Sequence, residues 1–322
     1  MRTGFLAAAT LAASFMATAL HAQEFPTKPV TVVVAAPAGG GIDVSARLMA
    51  DELNKKWGQP VIVDNRQGGG GNVGADVIAR AQPDGYTILV SGPAPLTINS
   101  QIYDKLSFDP EVIRPVAILN SSPNAIVVSN QLGVSTIEEL IAKAKAAPKS
   151  ISFASQGIGT TPHLGGELLQ DLAEIELTHV PYRGTAAAVT DVVAGHVDMM
   201  FMQLEAALRV SKEGSAKVIA LTSAERVPEF PDLPTLVELG YTEFVSDTWT
   251  AVTAPPGTPD EIIATLNSAI LEVLETDMIK ERFENLGLRS VGGSPEDMAR
   301  YLAEEKDRWG RVVEEAQIRV QE

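Results

Sequence analysis

The stretch VTVVVAAPAGGGID, residues 30–43, joins an apolar, β-branched run to a cluster of glycines and then to a helical pattern. The run from Val30 to Ala35 shows no alternation of apolar and polar residues, which predicts a strand buried on both faces of a sheet. Apolar residues then recur at helical spacing from Ala46 to Trp57. This segment therefore predicts a strand, a tight turn and an amphipathic helix, the opening unit of an α/β fold.

The same alternation continues along the chain. A strand at 60–63, a helix at 73–81 and a strand at 86–90 follow, and this β-α-β-α-β order favours a parallel sheet with crossover helices. A second α/β section repeats the pattern, with strands predicted at 125–128, 151–154, 178–180, 197–201 and 218–222. A strand at 249–253 and two long amphipathic helices follow it.

Capping patterns predict where three of the helices begin. Ser135 is predicted to be an N-cap, with Glu138 completing a capping box. Thr258 is predicted to be an N-cap before Pro259, and Ser294 begins a weaker version of the same pattern.

Length and composition predict two lobes in an exported protein. The chain has 322 residues, and single hydrophobic cores stop growing near ~250–300 residues. Residues 1–22 have the pattern of a signal peptide, because Arg2 precedes an apolar run and Ala22 offers a small residue for cleavage. A retained membrane anchor is the alternative for this run. The remaining chain is expected to be soluble.

Charge and cysteine content exclude several classes of function. The 25 basic and 41 acidic residues leave a net charge of −16, so nucleic acid and anionic membranes are poor partners. The absence of cysteine excludes thiol catalysis and thiolate metal sites. The acidic residues do not cluster as metal ligands would, so neither a metal nor a cofactor is expected.

Two glycine-rich loops each lie between a predicted strand and a predicted helix, at residues 37–43 and 155–163. The first amides of a helix have no internal partner and the helix dipole favours negative charge there, so such loops can bind a carboxylate without a basic side chain. Each loop alone could instead be an ordinary turn, with Asp43 and Thr161 as caps. Two such loops in separate sections favour facing jaws of one cleft.

Other motifs are weaker. Residues 69–74 match G-x-G-x-x-G, but the match follows the second strand rather than the first, so a close-packed turn is favoured over a dinucleotide site. Ser155 and His163 could serve as nucleophile and base of a hydrolase, although no G-x-S-x-G elbow is present.

The sequence resembles the tripartite tricarboxylate transporter receptors, also called the Bug family, whose TctC-type members bind citrate. The matching stretches include FPTKPV at 25–30, PDGYT at 83–87, HVPYRG at 179–184, DLPT at 232–235 and APPGTP at 254–259. The resemblance implies a type II periplasmic binding-protein fold, with two α/β lobes and a ligand cleft between them. One lobe is expected to comprise residues 23–124 plus 247–322, and the other residues 125–246.

The resemblance also implies a site and a function. The site residues carried over are Gly39, Gly40 and Asp43 in the first loop and Ser155, Gly157, Gly159, Thr160 and His163 in the second. Ser91 and Gln203 are hypothesised to contact the far end of the ligand. Met202 replaces an acid found in many members, which favours a plain carboxylate over an amino acid.

The implied protein is a monomeric, non-enzymatic periplasmic receptor. It would capture a small organic carboxylate and deliver it to the membrane subunits of a tripartite tricarboxylate-type transporter. A sensor kinase of a two-component system is the alternative partner, and a protein with a vestigial cleft that only contacts such a kinase is a third hypothesis. A periplasmic hydrolase using Ser155 and His163 is the enzymatic alternative.

Overall fold

The computed structural model describes residues 25–228 and 230–320, and only the backbone of Glu205. The predicted signal peptide at residues 1–22 lies outside these ranges. Within the described ranges, none of the helices combines the length and the apolar character needed to cross a membrane.

The described chain forms a mixed α/β structure in which strands and helices alternate as the sequence predicts. The strands are β1 (Val30–Val34), β2 (Val61–Asn65), β3 (Thr87–Ser91), β4 (Arg114–Ser129), β5 (Ser152–Ser155), β6 (Thr178–Pro181), β7 (Met199–Gln203), β8 (Ala216–Leu221), β9 (Asp247–Ala254) and β10 (Arg289–Gly292). The helices are α1 (Gly41–Trp57), α2 (Asn72–Ala79), α3 (Asn99–Ile102), α4 (Ile137–Ala146), α5 (Thr161–Ala173), α6 (Thr185–Ala194), α7 (Leu204–Lys212), α8 (Asp260–Leu274), α9 (Asp277–Asn285) and α10 (Pro295–Glu315).

The strands form one continuous, two-part sheet in the order β2-β1-β3-β9-β4-β7-β5-β6, and β8 and β10 also pair with β4. Strands β2, β1 and β3 are mutually parallel, as are β7, β5 and β6. Four of the five residues of β1 are fully buried, as expected for a strand covered by helices on both faces. The parallel strands of both parts contribute buried residues to apolar clusters.

Strand β4 joins the two parts of the sheet. Its first half, up to Pro123, pairs with β9 and β10, whereas the half from Asn124 onward pairs with β7 and β8. The strand predicted at 125–128 is therefore much too short, because β4 has 16 residues. The polar segment before it resembles a loop in sequence, yet its side chains find partners: Asn120 donates to Ser45 Oγ (3.0 Å) and Ser122 donates to the Gly287 carbonyl oxygen (3.3 Å).

The chain passes between the two parts of the sheet a second time, next to the middle of β4. The Ser246 amide donates to the Thr222 carbonyl (3.0 Å), and the Asn124 amide donates to the Ser246 carbonyl (3.4 Å). Residue 246 leads directly into β9, which pairs with the first half of β4. These bonds place residues 124, 222 and 246 side by side, and the lobe boundaries expected from the sequence, residues 23–124 with 247–322 and residues 125–246, stay a prediction.

Helix α10 packs against both parts of the structure. Its Trp309 is fully buried in the apolar cluster that also contains Phe153 and Leu168 of the second α/β section. Glu305, 1% exposed, accepts hydrogen bonds from the indole N–H groups of Trp249 (2.9 Å) and Trp309 (3.0 Å). Trp249 is thus a residue of the buried core.

The helix starts differ in detail from the predicted caps. Thr136, not Ser135, is the N-cap of α4, because its hydroxyl accepts from the Glu139 amide (3.3 Å). The Glu139 carboxylate accepts from the amide of Ser135 (2.6 Å), the residue before the N-cap. The prediction was wrong by one residue because Ile137, buried to 1% exposure, is the first residue of the helix.

The later caps also differ. Thr258 does not cap α8, because its hydroxyl donates to the Pro255 carbonyl (2.8 Å) and the N-cap is Pro259. Ser294 forms a complete capping box with Asp297. Helices α3, α7 and α9 and strand β10 were not predicted.

Candidate functional site

The two glycine-rich loops leave the carboxyl ends of parallel strands, where ligands bind in open α/β sheets. The first loop follows β1, and Ser91 is the last residue of the adjacent strand β3. The second loop follows β5, which ends at Ser155, and Gln203 is the last residue of the adjacent strand β7. The predicted site residues thus form two groups, one at the carboxyl edge of each parallel part.

The first loop is a tight turn that opens directly into α1. Gly39 adopts φ +80°, and the Gly40 amide donates to the Pro37 carbonyl (3.3 Å). The Asp43 carboxylate reaches back to accept from the Gly39 amide (2.8 Å). The first helical bond is donated by the Val44 amide to Gly40, so the amides of residues 41–43 have no acceptor within the described helix.

Asp43 is a buried brace rather than an N-cap. Its carboxylate also accepts from Arg47 Nε (2.9 Å) and Asn65 Nδ2 (2.9 Å). Burial acts to raise the pKa of Asp43, but the hydrogen bonds from Arg47, the Gly39 amide and Asn65 outweigh it, so the net pKa is lowered. The brace is therefore a charged carboxylate whose charge is offset by its partners.

The second loop makes the same turn before α5. Gly159 adopts φ +78°, and the Thr160 amide donates to the Gly157 carbonyl (3.3 Å). The Gly159 amide donates to Nδ1 of His163 (3.2 Å). The first helical bond joins the Leu164 amide to Thr160, which leaves the amides of residues 161 and 163 without an acceptor in the described helix.

Ser155 is held by the protein itself. Its hydroxyl, fully buried, lies 2.7 Å from Nε2 of His179 and accepts from the Gly157 amide (3.1 Å). The rings of His179 and His163 stack with centroids 4.0 Å apart. Burial, and then the neighbouring His163, lower the pKa of His179 to about 3. Among the described hydrogen bonds, the Ser155–His163 pair required by the hydrolase hypothesis is not formed.

Three contacts bring the two groups together. A Cβ built on Gly41 of the first loop would lie 3.4 Å from Oε1 of Gln203. The hydroxyl oxygens of Thr161, on α5, and Thr248, on β9, are 2.7 Å apart. A Cβ built on Gly159 would lie only 2.4 Å from Cδ1 of Ile102. The loops therefore lie at one seam between the two parts of the sheet.

The glycine motif at 69–74 supports this seam by packing. Asn99 donates to the Gly70 carbonyl (3.2 Å) and to Asn72 Oδ1 (2.7 Å), and a Cβ on Gly71 would lie 3.0 Å from Pro95. The motif is a close-packed turn against residues 95–99. The other side of that segment faces the second loop, because Asn99 Oδ1 lies 3.5 Å from the position of a Gly159 Cβ.

Several polar atoms at the seam are buried without a partner among the described residues. They include Ser91 Oγ and Asn99 Oδ1. Both residues are at most 1% exposed, and a buried polar atom without a partner is costly. These atoms are available to a ligand or to a bridging water. No group of three metal-ligating side chains is found in the described ranges.

Sequence reasoning missed His179 and assigned the wrong surroundings to Met202. Met202 is fully buried in the apolar cluster that contains Ala207 and Val218, so its side chain lies in the core. His179 lies on β6, 24 positions from Ser155, and no local pattern links the two. The register of β5 with β6 brings them together.

Comparison with known proteins identifies the family of the chain. Residues 45–318 match the family model described as "Tripartite tricarboxylate transporter family receptor". Protein BugT of Bordetella pertussis is 35% identical over 307 residues, which cover 95% of this chain and 94% of that protein.

Two solved structures share the whole fold. Rpa4515 of R. palustris, solved with adipate, has a TM-score of 0.86 and 34% identity, covering 92% of this chain and 99% of that one. MatC from Rhodopseudomonas palustris, solved with bound malate, has a TM-score of 0.82 and 33% identity, covering 90% of this chain and 100% of that one. The fold is therefore the two-lobed fold of periplasmic solute-binding proteins, as predicted. With the family model matched over most of its length, the chain belongs to the tripartite tricarboxylate transporter receptors and is a solute-binding receptor of the TctC and Bug type.

Proposed function

We propose that this receptor captures a small organic carboxylate, a di- or tricarboxylate or a related acid, in the periplasm and delivers it to the membrane subunits of a tripartite tricarboxylate-type transporter. The observation that carries the proposal is the pair of equivalent turns, each presenting unbonded amides of a helix N-terminus at one seam.

The chemistry of these amides fits an anion. Unbonded amides at a helix start carry a partial positive charge and bind carboxylates without a basic side chain. The net charge of −16 does not oppose this, because scattered surface charge is screened beyond ~8 Å at physiological ionic strength. Ordered waters can bridge these amides to the ligand, so that acids of different length can bind at the same amides.

The predicted residues divide between those that form the ligand-binding turns and those that hold the turns in shape by hydrogen bonds. In the first loop Gly39 and Gly40 form the turn and Asp43 braces it. In the second loop Gly157, Gly159 and Thr160 form the turn, while Ser155 and His163 brace it from below. We assign the two remaining residues, Ser91 and Gln203, to the far part of the ligand.

The ligand class follows from the polar groups around the seam. Gln203 has its Oε1 3.4 Å from the position of a Gly41 Cβ, and because it carries no charge it offers an ammonium group no ion pair. A carboxylate without an amino group therefore fits better than an amino acid. The adipate and malate bound by Rpa4515 and MatC are acids of this kind.

Isothermal titration and thermal unfolding with adipate, malate, citrate and glutamate test the proposal. A ligand that binds only the folded state must raise the melting temperature, so at least one of the first three acids should do so at millimolar concentration. Glutamate should bind more weakly than the best plain acid. The proposal fails if none of adipate, malate and citrate binds.

Delivery to a transporter requires a separate test. Uptake of the bound acid should be lost when the receptor gene is deleted and restored by the intact receptor. Uptake that persists without the receptor would contradict the transport role and favour a sensor kinase as the partner. The sensor kinase and the monomeric state both stay predictions.

A further inference from the structure

The two loops are the same turn built twice. Gly39 and Gly159 have φ values of +80° and +78°, and the next residues, Gly40 and Thr160, are both extended N-caps with φ −78° and −77°. In both loops the N-cap amide donates back across the turn over 3.3 Å. The two helix starts are therefore geometrically equivalent.

Each turn is locked by the third residue of its helix. In the first loop this is Asp43, whose carboxylate accepts from the Gly39 amide, and in the second it is His163, whose Nδ1 accepts from the Gly159 amide. This hydrogen bond points the N–H of the glycine toward the side chain of Asp43 or His163. The amides that follow then lie at the open helix start, where no side chain caps them.

The two braces differ in charge, and so do their partners one turn further along. Asp43 is paired with Arg47 (2.9 Å), whereas His163 presents Nε2 to Glu167 Oε1 at 3.5 Å. Because Nδ1 of His163 accepts a hydrogen bond, we assign the ring proton to Nε2, facing Glu167. Each brace thus combines an acceptor for the glycine amide with a complementary partner at i+4.

We infer that Asp43 and His163 are matched positioning residues, each of which orients the binding amides of one jaw through the amide of its preceding glycine. The i+4 partner decides which acceptor can serve: a carboxylate needs Arg47, and an imidazole suits Glu167. This inference rests on the proposed function, since it assigns how the same site is held in shape.

A charge swap in the second loop tests the inference. Adipate and malate affinities are measured for His163→Ala, His163→Asn, His163→Asp and the double variant His163→Asp with Glu167→Arg. His196→Ala serves as the matched control, because His196 is 73% exposed on its side chain and lies at the end of α6.

The expected order follows from the acceptor and its charge. His163→Ala removes the acceptor and should weaken binding by about tenfold, the size of one hydrogen bond. His163→Asn keeps an acceptor and should stay within about threefold of the natural protein. His163→Asp alone places two acids together and should bind more weakly than His163→Asn, whereas adding Glu167→Arg should recover at least half of that loss on a logarithmic scale.

Hydrogen exchange of the Gly159 amide provides a readout that needs no ligand. The amide should exchange slowly in the natural protein and in His163→Asn, and faster in His163→Ala, while His196→Ala leaves it unchanged. If the natural protein binds none of adipate, malate and citrate, the proposed function fails, but this readout still tests the hydrogen bond from the Gly159 amide to His163.

The inference is overturned if His163→Ala and His163→Asn behave alike in both exchange and affinity, or if the double variant is no better than His163→Asp. Should His163→Asp fail to fold, the same comparison is made in the first loop with Asp43→Asn and Asp43→Ala. There the Gly39 amide should stay protected only in the Asn variant, and equal protection in the two would overturn the inference.

Discussion

Gly159→Ala is expected to destabilise the folded protein through a steric overlap where the second loop meets α3. An added Cβ would lie 2.4 Å from Cδ1 of Ile102, a residue with no solvent exposure. Gly39→Ala is the matched control, because Gly39 has nearly the same φ and nothing lies within 4 Å of its Cβ position. The pair therefore separates backbone strain from steric overlap.

The magnitudes follow from these two terms. An alanine at φ near +80° costs ~1–2 kcal/mol of backbone strain, which is all that Gly39→Ala should lose. Overpacking a buried site adds ~1–3 kcal/mol, so Gly159→Ala should lose ~2–5 kcal/mol in total. The difference between the two variants estimates the overlap alone.

Ile102→Val provides an internal rescue, because valine lacks the Cδ1 atom that causes the overlap. The next Ile102 atom, Cγ1, lies 3.8 Å from the added Cβ, which is ordinary contact. Alone, Ile102→Val should cost ~0.5–1.5 kcal/mol. Combined with Gly159→Ala it should be less destabilising than the sum, by up to ~3 kcal/mol.

The assay is urea unfolding of the ligand-free protein, with the free energy of unfolding taken from the midpoint and slope. The reasoning is refuted if Gly159→Ala costs no more than Gly39→Ala. It is also refuted if the losses from Gly159→Ala and Ile102→Val simply add.

Three further outcomes are expected. Thr248→Val should cost ~0.5–1.5 kcal/mol by removing the bond to Thr161, and adding Thr161→Val should cost little more; additive losses in urea unfolding would show that the bond contributes nothing. Glu305→Leu should cost ~3 kcal/mol or more because it leaves two buried indole N–H groups unpaired, whereas Glu305→Gln, which keeps an acceptor, should cost less; equal losses would contradict this role. Because the folded-state pKa of His179 is lowered from 6.5 to about 3, the unfolded chain binds more protons between these values. Stability should therefore fall as the pH drops below 6.5, by up to ~1.4 kcal/mol per pH unit. His179→Gln should flatten that slope and the exposed His196→Gln should not; an unchanged slope in His179→Gln would assign the pH dependence to other groups.

Much of the element order could be read from local patterns. The strand from Val30, the helix start at Ser294 and the two glycine turns all depend on residues within a few positions of one another. Hydrophobic periodicity and capping residues report such local conformations. Where a short polar segment became part of a long strand, as at residues 120–124 of β4, the local pattern failed because distant partners satisfy its polar groups.

The sequence by itself determined the α/β class, the two anion-type turns and the family to which the chain belongs. Only the tertiary structure decided that His179 supports Ser155, that Ile102 lies against Gly159 and that Gln203 reaches Gly41. These contacts join residues separated by 24 to 162 positions (179 − 155 and 203 − 41). The conformation of a turn depends on its own residues. The residues that the turn faces depend on the register of the strands and on the packing of the lobes, and no local sequence pattern specifies these.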